Sequence, residues 1–92
     1  MNTYLITYDL NRPGQNYNEL YDAIKKVAVG SSWWHCLDSN WIINSNADSV
    51  TVRNSLTPHI DANDSLLVAR LSGGAAWTGF NTECSDWLRN NL

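Results

Sequence analysis

The residue with the clearest chemical promise is Asp9. It closes the run Thr3-Tyr4-Leu5-Ile6-Thr7-Tyr8-Asp9-Leu10, and Asn11-Arg12-Pro13-Gly14 follows at once. The run alternates as a strand does, with Tyr4, Ile6 and Tyr8 on one face and Leu5, Thr7 and Asp9 on the other. A carboxylate at the end of a buried strand is costly to desolvate unless it meets a metal, a cation or hydrogen-bond donors. If two protomers pack about a two-fold axis near this strand, two Asp9 carboxylates meet, and they need a divalent cation or a shared proton. Mg²⁺ or Mn²⁺ held there could activate water and polarise a phosphodiester, which makes Asp9 both metal ligand and catalytic residue. Arg12 is the best-placed candidate for a phosphate contact. The plainer alternatives are an Asp9 that caps the turn at 11–14 and an Arg12 solvated in its loop.

The other chemistry-bearing groups carry weaker signals. His35 alternates with Trp33 and Leu37, the setting of a packed, hydrogen-bonded imidazole, and His59 follows Pro58 at an expected helix end. No His, Cys or Asp spacing matches a zinc site. Gly73-Gly74 could form an anion-binding nest but lacks the Lys-Ser/Thr pair of a P-loop; a simple bend is the alternative. Trp33, Trp34, Trp41 and Trp77 could stack on bases. Aromatic residues of a small domain more commonly fill a core or a subunit interface, and Trp33, Trp41 and Trp77 are the interface candidates.

The chain has 92 residues, enough for one domain, 1–92, with a thin core. Its net charge is −3, and among the basic residues only Lys25 and Lys26 are adjacent. Charge therefore does not favour nucleic acid as a partner. Cys36 and Cys84 lie far apart without a Cys-x-x-Cys pattern and are expected as reduced thiols of a cytoplasmic protein; the alternative, a disulfide, needs their Cα atoms within about 7 Å. No leader sequence and no membrane-spanning run is recognisable.

These residues must be positioned by a small set of elements. A strand is predicted over 3–10. A helix follows over 17–28, where Tyr17, Leu20, Tyr21, Ile24, Val27 and Ala28 form a stripe, Asn16 is a candidate cap, and Gly30 a stop. Strands at 32–37 and 41–45 make a hairpin with Trp33, His35 and Leu37 on one face and Trp34 and Cys36 on the other. A helix over 47–60, capped by Asn46 or Asp48, should be kinked or shortened by Pro58. A buried strand is expected at 65–71, an edge strand or ordered loop at 75–80, and a final helix at 82–91 with Thr82 as its cap. The order is strand, helix, strand, strand, helix, strand, then a tail. It predicts an α+β, ferredoxin-like βαββαβ fold: a four-stranded antiparallel sheet, two helices on one face, and a C-terminal strand/helix tail. The bare face must be covered by the tail, a second subunit or a ligand, and the aromatic content favours a homodimer.

In element order, Tyr4–Leu10, the 17–28 helix, the 33–44 hairpin and the 65–71 strand resemble small ferredoxin-like proteins related to CRISPR-associated protein two and to VapD toxins. The stretch Ser32–Trp41 also resembles short bacterial and phage proteins labelled SinR family, most of them uncharacterised. The resemblance implies a homodimer and, in some members, a metal-dependent nuclease whose aspartate at the end of the first strand binds the metal; that role maps onto Asp9 alone. The basic residues with which such members hold nucleic-acid backbones are missing here. Two functions follow as expectations. One is a non-catalytic module that binds another protein or regulates, in a phage-defence, toxin–antitoxin or phage setting. The other is an endonuclease that hydrolyses an RNA or DNA phosphodiester with Asp9 and Mg²⁺ or Mn²⁺.

Overall fold

The computed structural model describes residues 1–11 and 17–92. Four strands, β1 (Asn2–Asp9), β2 (Trp33–Leu37), β3 (Asn40–Ser45) and β4 (Ser65–Leu71), form one antiparallel sheet of order β2-β3-β1-β4. Helices α1 (Asn18–Val27) and α2 (Ser49–Leu56) lie on one face, which is the ferredoxin-like arrangement. A third helix, α3 (Thr82–Asn91), packs on the other face.

The alternation of β1 assigns its two faces. Tyr4, Ile6 and Tyr8 join Trp41 and Ile43 of β3, Leu20 and Ile24 of α1, and Val52 and Leu56 of α2 in the main core. Leu5 points the other way, toward a second cluster of Trp34, Ile42 and Leu88 with Trp77, Phe80 and Trp87 around it. Three polar side chains of the main core, those of Tyr4, Ser45 and Trp41, have hydrogen-bond partners, as burial favours. Tyr4 Oη donates to the Ala47 carbonyl at 2.7 Å, Ser45 Oγ to the Val27 carbonyl at 2.8 Å, and Trp41 Nε1 to Tyr8 Oη at 3.0 Å.

Glu19 sits in the first turn of α1 and Lys25 and Lys26 in its last, on the favourable sides of the helix dipole. Gly30, at φ 57°, takes the left-handed conformation beyond the helix end. The Asn16 cap expected for this helix lies outside the described residues. Asp48, not Asn46, caps α2, accepting from Thr51 N at 2.8 Å. Pro58 converts the end of α2 into a 3₁₀ turn, Thr57–His59. The cap of α3 is Asn81, which accepts from Cys84 N at 2.8 Å, in place of the expected Thr82.

Three expectations are corrected. First, Leu37 does not share a face with Trp33 and His35. Trp34 pairs with Ile42 and Leu37 with Asn40, so His35 and Cys36 together oppose Trp41 in a β-bulge. The extra residue shifts the alternation and turns Leu37 to the face of Trp34. Asp38-Ser39 closes this hairpin without a positive-φ residue, so its twist mismatches the strands, and the bulge absorbs the difference. Second, β4 is an edge strand with no fully buried side chain, and Leu67 is 57% exposed. Third, Cys36 and Cys84 are not free thiols: they form a disulfide, with Cα atoms 6.4 Å apart, which ties the bulge of β2 to the first turn of α3. Residues 75–80 form an ordered loop without strand pairing.

Candidate functional site

Asp9 is the last residue of β1. It is exposed, on the sheet face away from α1 and α2, with Ser65 of β4 as its cross-strand neighbour. A shallow depression of about 260 Å³ surrounds it, lined by Thr7, Tyr8, Ser65, Leu66 and Leu67. The turn at 11–14, whose cap is the plainer role for Asp9, lies, beyond Asn11, outside the described residues; the Asn11 amide itself goes to Asp64. Asp64 Oδ1 accepts from Asn11 N and Asp64 Oδ2 from Asp61 N, both at 2.8 Å, while Asn11 Nδ2 donates to the Asn63 carbonyl at 2.6 Å. These bonds fix the exit of β1 against the entry of β4 and place Asp9 at the rim of the sheet.

Mg²⁺ or Mn²⁺ takes about six oxygen ligands, usually with one or two carboxylates among them. Asp64 has both oxygens engaged by backbone donors. Among the described residues no group of three or more His, Cys, Asp and Glu is placed to hold a metal ion. The described residues around Asp9 therefore do not fit such an ion, and no reaction step is derived through it. Arg12, the expected phosphate ligand, lies outside the described residues.

The aromatic residues divide between the two faces. Trp41 is 1% exposed and stacked on His35, with ring centroids 3.9 Å apart and planes 12° from parallel. A side chain so enclosed has no surface to offer a partner, so the expected interface role of Trp41 gives way to a core role. Trp33 lies beside it at 5.3 Å, partly exposed, with Lys25 Nζ 4.8 Å from its ring centroid in a cation–π contact. Trp77 lies across the sheet, half-buried against the cluster of Trp34, Ile42 and Leu88. The three Trp residues expected at an interface thus do not form one patch.

The strongest electrostatic perturbation among the described residues is at Tyr8 of β1, packed against the hairpin. Burial pushes the Tyr8 phenol far above its ordinary range, against the opposing effect of the hydrogen bond from Trp41. Tyr8 Oη also donates to the Asp38 carbonyl at 3.3 Å, and His35 Nε2 lies 3.1 Å from the same oxygen. A carbonyl only accepts, so Nε2 carries the proton. Tyr8 and His35 both anchor the hairpin turn through the Asp38 carbonyl. His59 lies 3.9 Å from Glu19 and joins α1 to the 3₁₀ turn. Gly73, at φ 109°, makes the bend that leaves β4.

Sequence reasoning missed the polar tie between the sheet and α3. Asn44 is 6% exposed, and its side chain makes three hydrogen bonds. Its Oδ1 accepts from Thr3 Oγ1 at 2.6 Å, and its Nδ2 donates to Ser32 Oγ at 2.5 Å and to Asn91 Oδ1 at 2.7 Å. An Asn in a strand otherwise running Trp-Ile-Ile was the available signal, since such a position is seldom polar without partners.

The fold and these sites define a ferredoxin-like α+β protein with a helical tail on its second sheet face. No family model matches the chain, and no solved structure matches it.

Proposed function

We propose that this chain is a non-catalytic binding module that works as a homodimer, with β4 as its self-association edge. The observation that carries the reading is the composition of that edge. Five of the seven residues of β4 are apolar, Leu66, Leu67, Val68, Ala69 and Leu71, yet none is fully buried within the protomer. Its outer backbone groups face no neighbouring strand in the sheet. An apolar edge strand of this length without Pro or Lys is a template for another strand. A second copy suits it. Antiparallel pairing about Val68 sets Leu67 opposite Ala69 and Leu66 opposite Arg70, and keeps the two Arg70 guanidinium groups apart. The same edge could take a strand of another protein by β-addition, the heteromeric form of the reading.

The resemblance to CRISPR-associated protein two, VapD and SinR-labelled proteins supports a phage-defence, toxin–antitoxin or phage setting for the module. The cytoplasm is the matching location. There a disulfide is transient, catalytic or sensing, whereas a lasting Cys36–Cys84 bond would suit an oxidising compartment. No helix among the described residues is long and apolar enough to cross a membrane. The endonuclease reading retains one favourable observation, the exposure of Asp9 at the sheet rim. It requires ligands beyond the described residues of one protomer, which hold no metal-binding group of three or more His, Cys, Asp and Glu. Sedimentation velocity of the wild type and a β4 variant tests the binding reading. A wild type that stays monomeric overturns the homodimer.

A further inference from the structure

We propose that Cys36–Cys84 is a redox latch: reduction by a cellular dithiol releases α3 from the sheet and bares the apolar face beneath it. The latch is complete within one protomer and does not depend on the dimer. Four observations carry it. The disulfide joins two segments 48 residues apart, the bulge of β2 and the first turn of α3. Both cysteines are only partly buried. With Ser31, Glu83 and Trp87 they line a surface cleft of about 450 Å³, which a small dithiol can enter. The helix they hold is weakly embedded, since Leu88 is its one fully buried residue. Finally, α3 follows a loop, 72–81, that has no helix or strand and that turns through left-handed glycines at Gly73 and Gly79, so an arm is in place on which the helix can swing.

The remaining ties are few. Trp34 Nε1 donates to the Cys84 carbonyl at 3.1 Å, and Asn44 Nδ2 to Asn91 Oδ1 at 2.7 Å. Beneath the helix lie Trp34, Ile42, Leu5 and the loop residues Trp77 and Phe80. This layer already opens into an apolar cleft of about 310 Å³ beside Leu37, which is 46% exposed. A ten-residue helix separated from such a layer is marginal in water, so opening and fraying should occur together.

The chemistry balances as thiol–disulfide exchange. A thiolate of the dithiol attacks Cys36 Sγ, and the Cys36–Cys84 bond breaks. Cys84 leaves as a thiolate, the better leaving group because it sits in the first turn of a helix. The second thiol of the reductant then displaces Cys36. The protein gains two electrons and two protons, and the reductant leaves as its own disulfide.

The test is hydrogen exchange by mass spectrometry on the full chain, oxidised and after dithiothreitol under native conditions, with a Cys36→Ser/Cys84→Ser variant alongside. The expected result is exchange about tenfold or more faster in 82–91 on reduction, unchanged exchange in β1 and β3, and the same pattern in the double variant. A rise in binding of an apolar dye should accompany it. A disulfide that resists the dithiol in the folded protein, exchange in 82–91 that does not change, or equal acceleration in β1 and β3 would each overturn the latch. All are read within the protomer, so they are distinguishable from failure of the dimer, which sedimentation reports.

Discussion

Leu67→Lys is the perturbation that bears most directly on the proposed dimer. Leu67 is 57% exposed in the protomer, on the outer strand of the sheet. Burying a whole leucine is worth about 1.5–3 kcal/mol, so covering the exposed fraction contributes about 1–1.7 kcal/mol. A two-fold interface counts it twice, about 2–3.5 kcal/mol. Losing that contact predicts dimerisation weaker by about 30- to 300-fold, at about 1.4 kcal/mol per decade. The ammonium group, brought against a second apolar strand, pushes toward the upper end. The protomer itself should hold, because Leu67 contributes little to its core and an exposed strand position tolerates Lys within about 1 kcal/mol. Val50→Lys is the matched control: Val50 is 53% exposed, but on α2, across the sheet from Leu67. Sedimentation velocity over a concentration series, with circular dichroism to establish folding, reads the effect. Two results refute the reasoning: a wild type that stays monomeric up to about 100 µM, or Leu67→Lys and Val50→Lys variants that dissociate alike.

Three further outcomes are expected. Asn44→Ala should cost about 2 kcal/mol by leaving Thr3, Ser32 and Asn91 without their shared partner; a melting temperature lower by about 10 °C checks it, and a shift near zero would mean water replaces the network. Asp48→Ala should lower the melting temperature at neutral pH. The hydrogen bonds from Thr51 hold the Asp48 carboxyl below its ordinary value of 3.8, so the cap contributes fully above that value and its contribution is lost as pH falls through the lowered one. The gap between the wild-type and Asp48→Ala melting curves should therefore close in acid. Asp9→Asn should leave the melting curve unchanged, Asp9 being exposed at a strand end. Divalent-cation-dependent cleavage of RNA or DNA that vanishes in this folded variant would establish the endonuclease in place of the binding module.

The candidate site was only partly legible. Asp9 at the end of the first strand follows from alternation in 3–10; its exposure does not, since the sequence reads as a buried strand there. That Asp64 rather than Asp9 receives the Asn11 amide does not follow either: Asn11 and Asp64 are 53 apart, and only the pairing of β1 with β4 brings them together. The Trp residues show the same limit. Trp33 and Trp41 differ sharply in exposure, although both have the same chemistry in the same hairpin. Strand order alone does not explain it, since Trp34 on the same edge strand β2 is 4% exposed beneath α3; what packs on each face of the sheet also decides.

Taken alone, the sequence determined the element order, the face of each residue in β1, the stripe of α1 and the shortening of α2 at Pro58, because periodicity, caps and proline act over a few residues. Only the tertiary structure decided that β4 is an exposed edge, that a bulge turns Leu37 over, and that Cys36 meets Cys84. Each of these depends on which distant segments become neighbours. Local propensity does not encode that choice; it arises when the two sheet faces are covered, one by α1 and α2 and the other by α3.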